Sequence, residues 1–293
     1  MRQCRIESLG VSLPERRVLP RGSMRHAVTA GKHCIRSSKY APADIQVLIN
    51  SGVHRDNHVC EPAIAVYIQH RLGINIEFQG RETLAFDLHN GGCGMLNAIQ
   101  ILCALMESGQ IRVGMTVASE ANSDRKPDPA YPYPDSGAAI ILDRSPLLDR
   151  GFGHFAFHCR EEYADLYTSI VDISVPRGRI RLQRAAELEA VYLGMIPHVI
   201  EEVLAKDNLT PEDIDRLIPA QISPGFLDQL PRMTGIPENK ITGFPADLPD
   251  TLSTSLFLTL ERSLAEKPAN PGETFLLLAC GSGVTVAATT YRF

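Results

Sequence analysis

The sequence predicts an α/β protein of two similar halves, residues 1–148 and 149–293, each made of strand–helix–strand units. Three observations predict it. Ala41-Pro42-Ala43-Asp44-Ile45 leads into Gln46-Val47-Leu48-Ile49, and Thr210-Pro211-Glu212-Asp213-Ile214 leads into Asp215-Arg216-Leu217-Ile218 in the same pattern. The segments around these two echoes recur in the same order. Both halves also close on apolar strands opened by small residues, Gly137 to Leu142 and Gly283 to Phe293.

Taken in order, an amphipathic helix over Met24 to Ser37 precedes the first echo, and one over Leu182 to Lys206 precedes the second. The Pro and the acid of each echo suit a helix-to-strand turn, and the apolar run after them, with its β-branched residues, reads as a strand. A polar turn and a helix follow in each half (Glu61 to Leu72; Pro224 to Thr234), then Gly-Ile and another strand. Helices headed by small residues come next, Gly94 to Glu107 and Ser253 to Leu264. Strands alternating with helices of this length imply βαβ units and a mainly parallel sheet in each half. The joint between the halves falls near Pro146 to Gly151, and Asn122 to Pro134, rich in Pro and Asp, reads as an ordered surface or interface loop.

Composition narrows the function. The net charge is −5, and the one basic cluster, Arg177-Gly178-Arg179-Ile180-Arg181, is soon followed by Glu187 and Glu189, so a nucleic-acid footprint is not expected. Apolar runs such as Phe275 to Cys280 are too short to span a bilayer, and Met1 to Gly10 has no long apolar core of a signal peptide. Seven cysteines, an odd count without C-x-x-C spacing, fit neither a disulfide framework nor a zinc ribbon. A cytoplasmic protein with mostly inert buried thiols, no membrane contact and no cofactor is the expectation.

One segment stands out for chemistry: Ala85-Phe86-Asp87-Leu88-His89-Asn90-Gly91-Gly92-Cys93-Gly94-Met95-Leu96. It reads as a strand breaking at a glycine-rich elbow into a helix. A cysteine there faces unpaired N–H groups and the positive end of the helix dipole, both of which favour a thiolate nucleophile.

This segment resembles the nucleophile motif of the ketoacyl-ACP synthase III family, Phe-Asp-x-x-x-x-Cys-x-Gly-Phe. Tyr133-Pro134-Asp135-Ser136-Gly137-Ala138-Ala139 looks like the family's Phe-Gly-Asp-Gly-Ala-Gly-Ala, and Leu217-Ile218-Pro219-Ala220-Gln221 like its Val-Pro-His-Gln. Pro249-Asp250-Thr251-Leu252-Ser253 is similar to Gly-Asn-Thr-Ser-Ala, and Cys280-Gly281-Ser282-Gly283 to the last glycine-rich turn. The likeness runs in order over nearly the whole length. It implies a thiolase-like fold of two duplicated βαβ-type halves in α-β-α-β-α layers, a dimer, and acyl carrier protein or another acyl thioester as partner. A carrier is acidic, so a local Arg/Lys patch would serve docking.

The family's Cys-His-Asn triad carries over poorly. Its histidine falls on Ala220 and its asparagine on Asp250. Two hydrogen-bond donors to an enolate are thereby replaced by a methyl group and an anion, at roughly 3 kcal/mol or more each. Aligning Asp87 and Gly94 without a gap puts Gly92 on the cysteine position; a one-residue shift puts Cys93 there. The family's longer segment after the motif resembled by Gly10-Val11-Ser12-Leu13-Pro14 is trimmed here, which points to a carrier-protein thioester rather than free coenzyme A as donor.

Two readings result. In the first, Cys93 accepts an acyl group and passes it to an acceptor positioned or deprotonated by Asp250, with the backbone N–H groups of Ser282 and Cys93 as oxyanion donors, in specialised fatty-acid or polyketide-type metabolism. In the alternative, the chain is a catalytically inactive ketosynthase-like subunit that pairs with an active paralogue or docks a carrier protein; homodimer and heterodimer both stay open. A third possibility keeps ordinary condensation with a base recruited from His54, His58 or His89. His54, Asp56, His58 and Cys60 match no zinc spacing, and no metal is expected.

Overall fold

The computed structural model describes residues 4–14, 22–77, 82–147, 149–243 and 249–293. Strand β1 (Cys4–Ser12) leads to helix α1 (Ser23–Ser37), then β2 (Val47–Asn50), α2 (Ile64–Leu72), β3 (Leu84–Asp87), α3 (Gly94–Glu107), β4 (Val113–Glu120) and β5 (Ser136–Arg144). After them come β6 (Gly151–Cys159), β7 (Tyr167–Val171), β8 (Ile180–Arg184), α4 (Leu188–Asp207), β9 (Arg216–Pro219), α5 (Pro224–Thr234), α6 (Ser255–Glu266), β10 (Thr274–Gly281) and β11 (Thr285–Arg292).

The first sheet runs β1-β5-β4-β2-β3 and the second β6-β11-β10-β9. The two orders correspond strand for strand, and the place of β3 is held in the second sheet by one bridge, Leu217 to Ile241. The echoed segments fold identically. Pro42–Asp44 and Pro211–Asp213 are single 3-10 turns, and the closing acid of each accepts the backbone N–H of the residue before the proline, at 2.9 Å from Ala41 and 2.8 Å from Thr210. An Asx-type bond of this kind fixes the turn that delivers the chain to its strand.

Three hydrophobic clusters hold the five layers together, the central one spanning both inner interfaces. Ala27, Ala30 and Cys34 of α1 and Ile68 of α2 pack on the outer face of the first sheet. Leu96, Ile99 and Leu102 of α3 and Phe257 and Leu260 of α6 are sandwiched between the sheets. Tyr192, Ile196 and Val199 of α4 and Phe226 of α5 cover the outer face of the second. This is the α-β-α-β-α thiolase-like arrangement the resemblance implies. Helix α3 carries buried residues around most of its circumference, as a helix between two sheets must.

Two expectations need correction. The sheets are mixed: β2 pairs in parallel with β3 and β4, and β9 with β10, but β5 and β11 pair antiparallel on both sides. The connection from β4 to β5 is a loop, and the one from β10 to β11 a short turn, so neither supplies the crossover helix a parallel pair needs. The helix expected from Leu182 starts at Leu188, because Ile180–Arg184 pairs with Tyr167–Val171 as a small antiparallel hairpin. Ile180 and Leu182 are buried there while Arg181 and Gln183 face solvent, a period-2 pattern. No helix among the described residues is long and apolar enough to cross a membrane.

Candidate active site

The elbow is built where β3 meets α3. Asp87, the acid of the nucleophile-like motif, accepts the N–H groups of Ile64 and Ala65 at 2.8 and 2.9 Å and so caps α2, while Asn50 donates to it at 3.0 Å. The chain then turns through Gly91–Cys93 and enters α3. Gly91 has φ +49°, and its missing Cβ would stand 2.7 Å from Ser282 N and 2.8 Å from Ser282 Oγ. A Cβ on Gly92 would overlap the carbonyl oxygen of Cys280. Glycine backbone of the first half therefore lies directly on the Gly281–Ser282 turn of the second, an approach no side-chain-bearing residue allows.

Cys93 turns inward from this seam. Its side chain is 0 % exposed, sits in the core between the sheets, and donates from Sγ to the Thr285 carbonyl at 3.6 Å. Burial pushes its thiol far up, away from the thiolate a nucleophile needs. Its backbone N–H, expected to serve an oxyanion, is engaged by the Asn90 carbonyl at 2.9 Å.

A small cavity lies beside the seam. Asp250, Cys280, Ser282, Arg184 and the tyrosines Tyr133, Tyr167 and Tyr192 contribute to its wall. Its free volume of about 10 Å³ is close to what a single water requires. Asp250 accepts the Leu252 N–H at 2.8 Å, yet loss of solvent dominates and raises its carboxyl to about 6. Cys280 is buried and its thiol is pushed up by burial first, then by Cys93 and Asp250. Tyr133 donates to the Tyr167 hydroxyl at 3.1 Å and Tyr192 to the Gly281 carbonyl at 3.0 Å; burial raises all three hydroxyls, which stay neutral donors. The cavity thus offers a carboxyl that titrates near neutrality and phenolic donors, but no ionised sulfur.

The structure brings Asp250 and Ser282 together at this cavity. Cys93, Gly92 and Ala220 are not part of its wall. Ala220 is buried, its N–H bound to the Leu278 carbonyl at 2.7 Å. Among the alternative bases, His89 is in close contact with Arg55, and its pKa is lowered by desolvation and then by that guanidinium. His54 is buried, with Nδ1 2.6 Å from Glu120 and Nε2 3.0 Å from Ser169 Oγ, and His58 Nε2 lies 2.9 Å from Asp124. None of the three histidines is part of that wall.

Sequence reasoning missed Glu120. It is 0 % exposed and accepts bonds from His54 Nδ1, Ser253 Oγ and the Val53 N–H, tying the β4 end to the turn before α6. A lone acid closing the buried strand Val113–Glu120 was the available signal. Cys280 was also missed as a cavity thiol, although it directly precedes the last glycine turn. The trimmed stretch after Pro14 includes residues 15–21, which lie outside the described residues.

Residues 204–293 match the family model for the C-terminal part of 3-oxoacyl-[acyl-carrier-protein] synthase III. The beta-ketoacyl-[acyl-carrier-protein] synthase III of Chelativorans sp. (strain BNC1) is 28 % identical over 280 residues, covering 90 % of this chain and 82 % of the relative. Among solved structures, 3-oxoacyl-[acyl-carrier-protein] synthase III from Aquifex aeolicus VF5 superposes with a TM-score of 0.83 at 20 % identity, over 99 % of this chain and all of that one (100 %). The priming beta-ketosynthase of the R1128 polyketide pathway gives 0.84 at 20 % identity over 100 % and 96 % of the two chains. The structural likenesses establish the thiolase-like fold, and the sequence likeness to ketoacyl-ACP synthase III proteins runs nearly the full length of the chain.

Proposed function

We propose that this chain is a synthase III-type protein that has given up covalent condensation and works by binding: it pairs with an active paralogue or docks an acyl carrier protein. The observation that carries this reading is the elbow. Position 92 presents bare glycine backbone whose side-chain space is filled by the Cys280 carbonyl. The neighbouring thiol of Cys93 is fully buried in the core. Ala220 and Asp250 add to it, since neither supplies the donors that stabilise an enolate. The division into halves 1–148 and 149–293 and a dimeric assembly belong to the same reading.

A second reading, acyl transfer onto Cys93 with Asp250 acting on the acceptor, is favoured by one observation. The Asp250 carboxyl, raised to about 6, is poised for general acid–base work near neutral pH. In that chemistry a Cys93 thiolate would attack the thioester carbonyl and expel the carrier thiol, so the buried sulfur would first have to be exposed and deprotonated.

The test is incubation with acyl-carrier and small acyl-thioester donors, followed by intact mass, for the wild type and Cys93→Ala. The binding reading expects no adduct, together with a stable complex with a paralogous synthase or a carrier protein. A stoichiometric, hydroxylamine-labile adduct absent from Cys93→Ala would overturn it in favour of acyl transfer.

A further inference from the structure

We propose that Ser169, His54 and Glu120 form a nucleophilic site separate from the elbow, one that hydrolyses short carboxylic esters through an acyl-serine. His54 follows β2, Glu120 closes β4 and Ser169 lies in β7, so the grouping exists only in the fold. His54 Nε2 is 3.0 Å from Ser169 Oγ, and its Nδ1 is 2.6 Å from Glu120. A serine within hydrogen-bond reach of a base that a carboxylate orients in turn is the arrangement nucleophilic acyl transfer requires. It is recognised by geometry and not by position in the chain.

The roles follow from the bonding. Glu120 is 0 % exposed and takes four donors: the Val53 N–H at 3.1 Å, the His54 N–H at 3.3 Å, His54 Nδ1 and Ser253 Oγ. A carboxylate has no hydrogen of its own to donate, so this network assigns the imidazole proton to Nδ1. Nε2 is left as the acceptor of the Ser169 hydroxyl. The ring is held in plane: Tyr133 stacks on it with centroids 5.9 Å apart and planes at 26°, and Tyr131 meets it edge-on at 4.9 Å and 78°. The imidazole side chain is 3 % exposed, whereas Ser169 is exposed, so a shielded base stands behind an open nucleophile. The Tyr131 hydroxyl oxygen is buried without a hydrogen-bond partner. Burial, and then the nearby Glu120, keep it protonated, which leaves in this cluster a donor for a developing oxyanion.

In the reaction Ser169 Oγ attacks the ester carbonyl as its proton passes to His54 Nε2. The carbon–oxygen bond to the alcohol breaks, and the alcohol leaves with that proton. Water then attacks the acyl-serine and gives a proton to Nε2; the carboxylic acid departs as Ser169 regains its hydrogen from the imidazole. The surroundings suit a short apolar acyl group. Val171, on the same strand face as Ser169, is 41 % exposed. Gly178 lies against Val171 Cγ1 and lines a cleft of about 540 Å³, room for a small ester. Neither Cys93 nor Asp250 takes part, so this activity goes beyond the binding reading above and does not rest on it.

Labelling with a fluorophosphonate, read by intact mass and peptide mapping, and hydrolysis of p-nitrophenyl acetate test it together. In the labelling step Ser169 Oγ bonds to phosphorus and fluoride leaves. A single adduct mapped to Ser169 is expected, with ester turnover lost in step with labelling. Ser169→Ala, a change at an exposed side chain, should leave the fold intact and remove both signals. Glu120→Gln keeps the shape of the positioning residue but no longer fixes the tautomer, and it should lower kcat by about a hundredfold or more with KM unchanged. No adduct at millimolar probe, an adduct mapped to another residue, ester turnover unchanged in Ser169→Ala, or kcat unchanged in Glu120→Gln overturns the proposal. The readout needs no carrier protein, no paralogue and no adduct on Cys93, so its failure is separable from failure of the binding reading.

Discussion

Gly92→Ala probes whether the elbow has room for any side chain. The new Cβ would collide with the Cys280 carbonyl oxygen, with Cys280 C at 3.3 Å and Leu252 O at 3.6 Å. The obstacle is backbone, held by the β10–β11 ladder from Cys280↔Val286 to Thr274↔Arg292, so it cannot swing aside as a flexible side chain would. Overpacking of a rigid interior costs about 1–3 kcal/mol, and a backbone clash belongs at the top of that range. At about 2 °C per kcal/mol for a chain of this size, the thermal midpoint should fall by about 6 °C. Gly194→Ala is the matched control: Gly194 lies in α4 with nothing within 4 Å of its missing Cβ. That change should stabilise by about 0.5–1 kcal/mol. Urea unfolding of both variants, checked for an unchanged m-value, gives the comparison. Gly92→Ala within about 0.5 kcal/mol of wild type would refute the packing argument, and position 92 would again be open to a nucleophile. Gly92→Cys, by the same reasoning, should be destabilised and form no acyl adduct.

Asp250→Asn should flatten the acid limb of the stability profile. With a folded pKa of about 6 and an unfolded one of 3.8, the folded state binds more protons between those values, so stability falls as pH rises from 4 to 6. The difference is up to about 3 kcal/mol; the variant should lack the slope and be the more stable protein at pH 7, and urea unfolding from pH 4.5 to 7.5 that shows the same slope in both would contradict this. His54→Ala strips the buried Glu120 of its 2.6 Å partner and should destabilise by about 3–5 kcal/mol; a chemical-denaturation loss below about 1 kcal/mol would mean the pair behaves like a surface one. In thiol labelling of the native protein, the exposed Cys60 and Cys159 should react quickly, with Cys93 and Cys280 protected until unfolding. Peptide mapping that finds Cys93 among the fast thiols would place its sulfur in contact with solvent.

The doubled architecture was legible because each half repeats a local physical solution. Pro42 and Asp44, like Pro211 and Asp213, stop one helix and aim the next strand with a single turn, and that turn is written in adjacent residues. The β7–β8 hairpin was harder to read. Ile180-Arg181-Leu182-Gln183-Arg184 alternates cleanly, but Leu182 also falls in register with the apolar side of the helix beginning at Leu188, and five residues do not settle the period. At the candidate site the residue types were readable and their directions were not. Gly92 and Cys93 are neighbours on one turn, and which of them faces the cavity depends on how closely Cys280 approaches from 188 positions further along the chain. The burial of Glu120 likewise depends on Ser253 and His54, which arrive from other elements.

Where Gly91 and Gly92 meet Gly281 and Ser282, the two halves share one volume. A Cβ on Gly281 would in turn stand 2.8 Å from Asn90 O and 3.2 Å from both N and Sγ of Cys93. Neither duplicate can enlarge its turn unless the other retreats, so mutational drift at this point is a joint affair between segments far apart in the gene. Such reciprocity leaves the junction little room for any side chain larger than hydrogen. It also means that redesigning the elbow for any new chemistry has to begin with the opposite half.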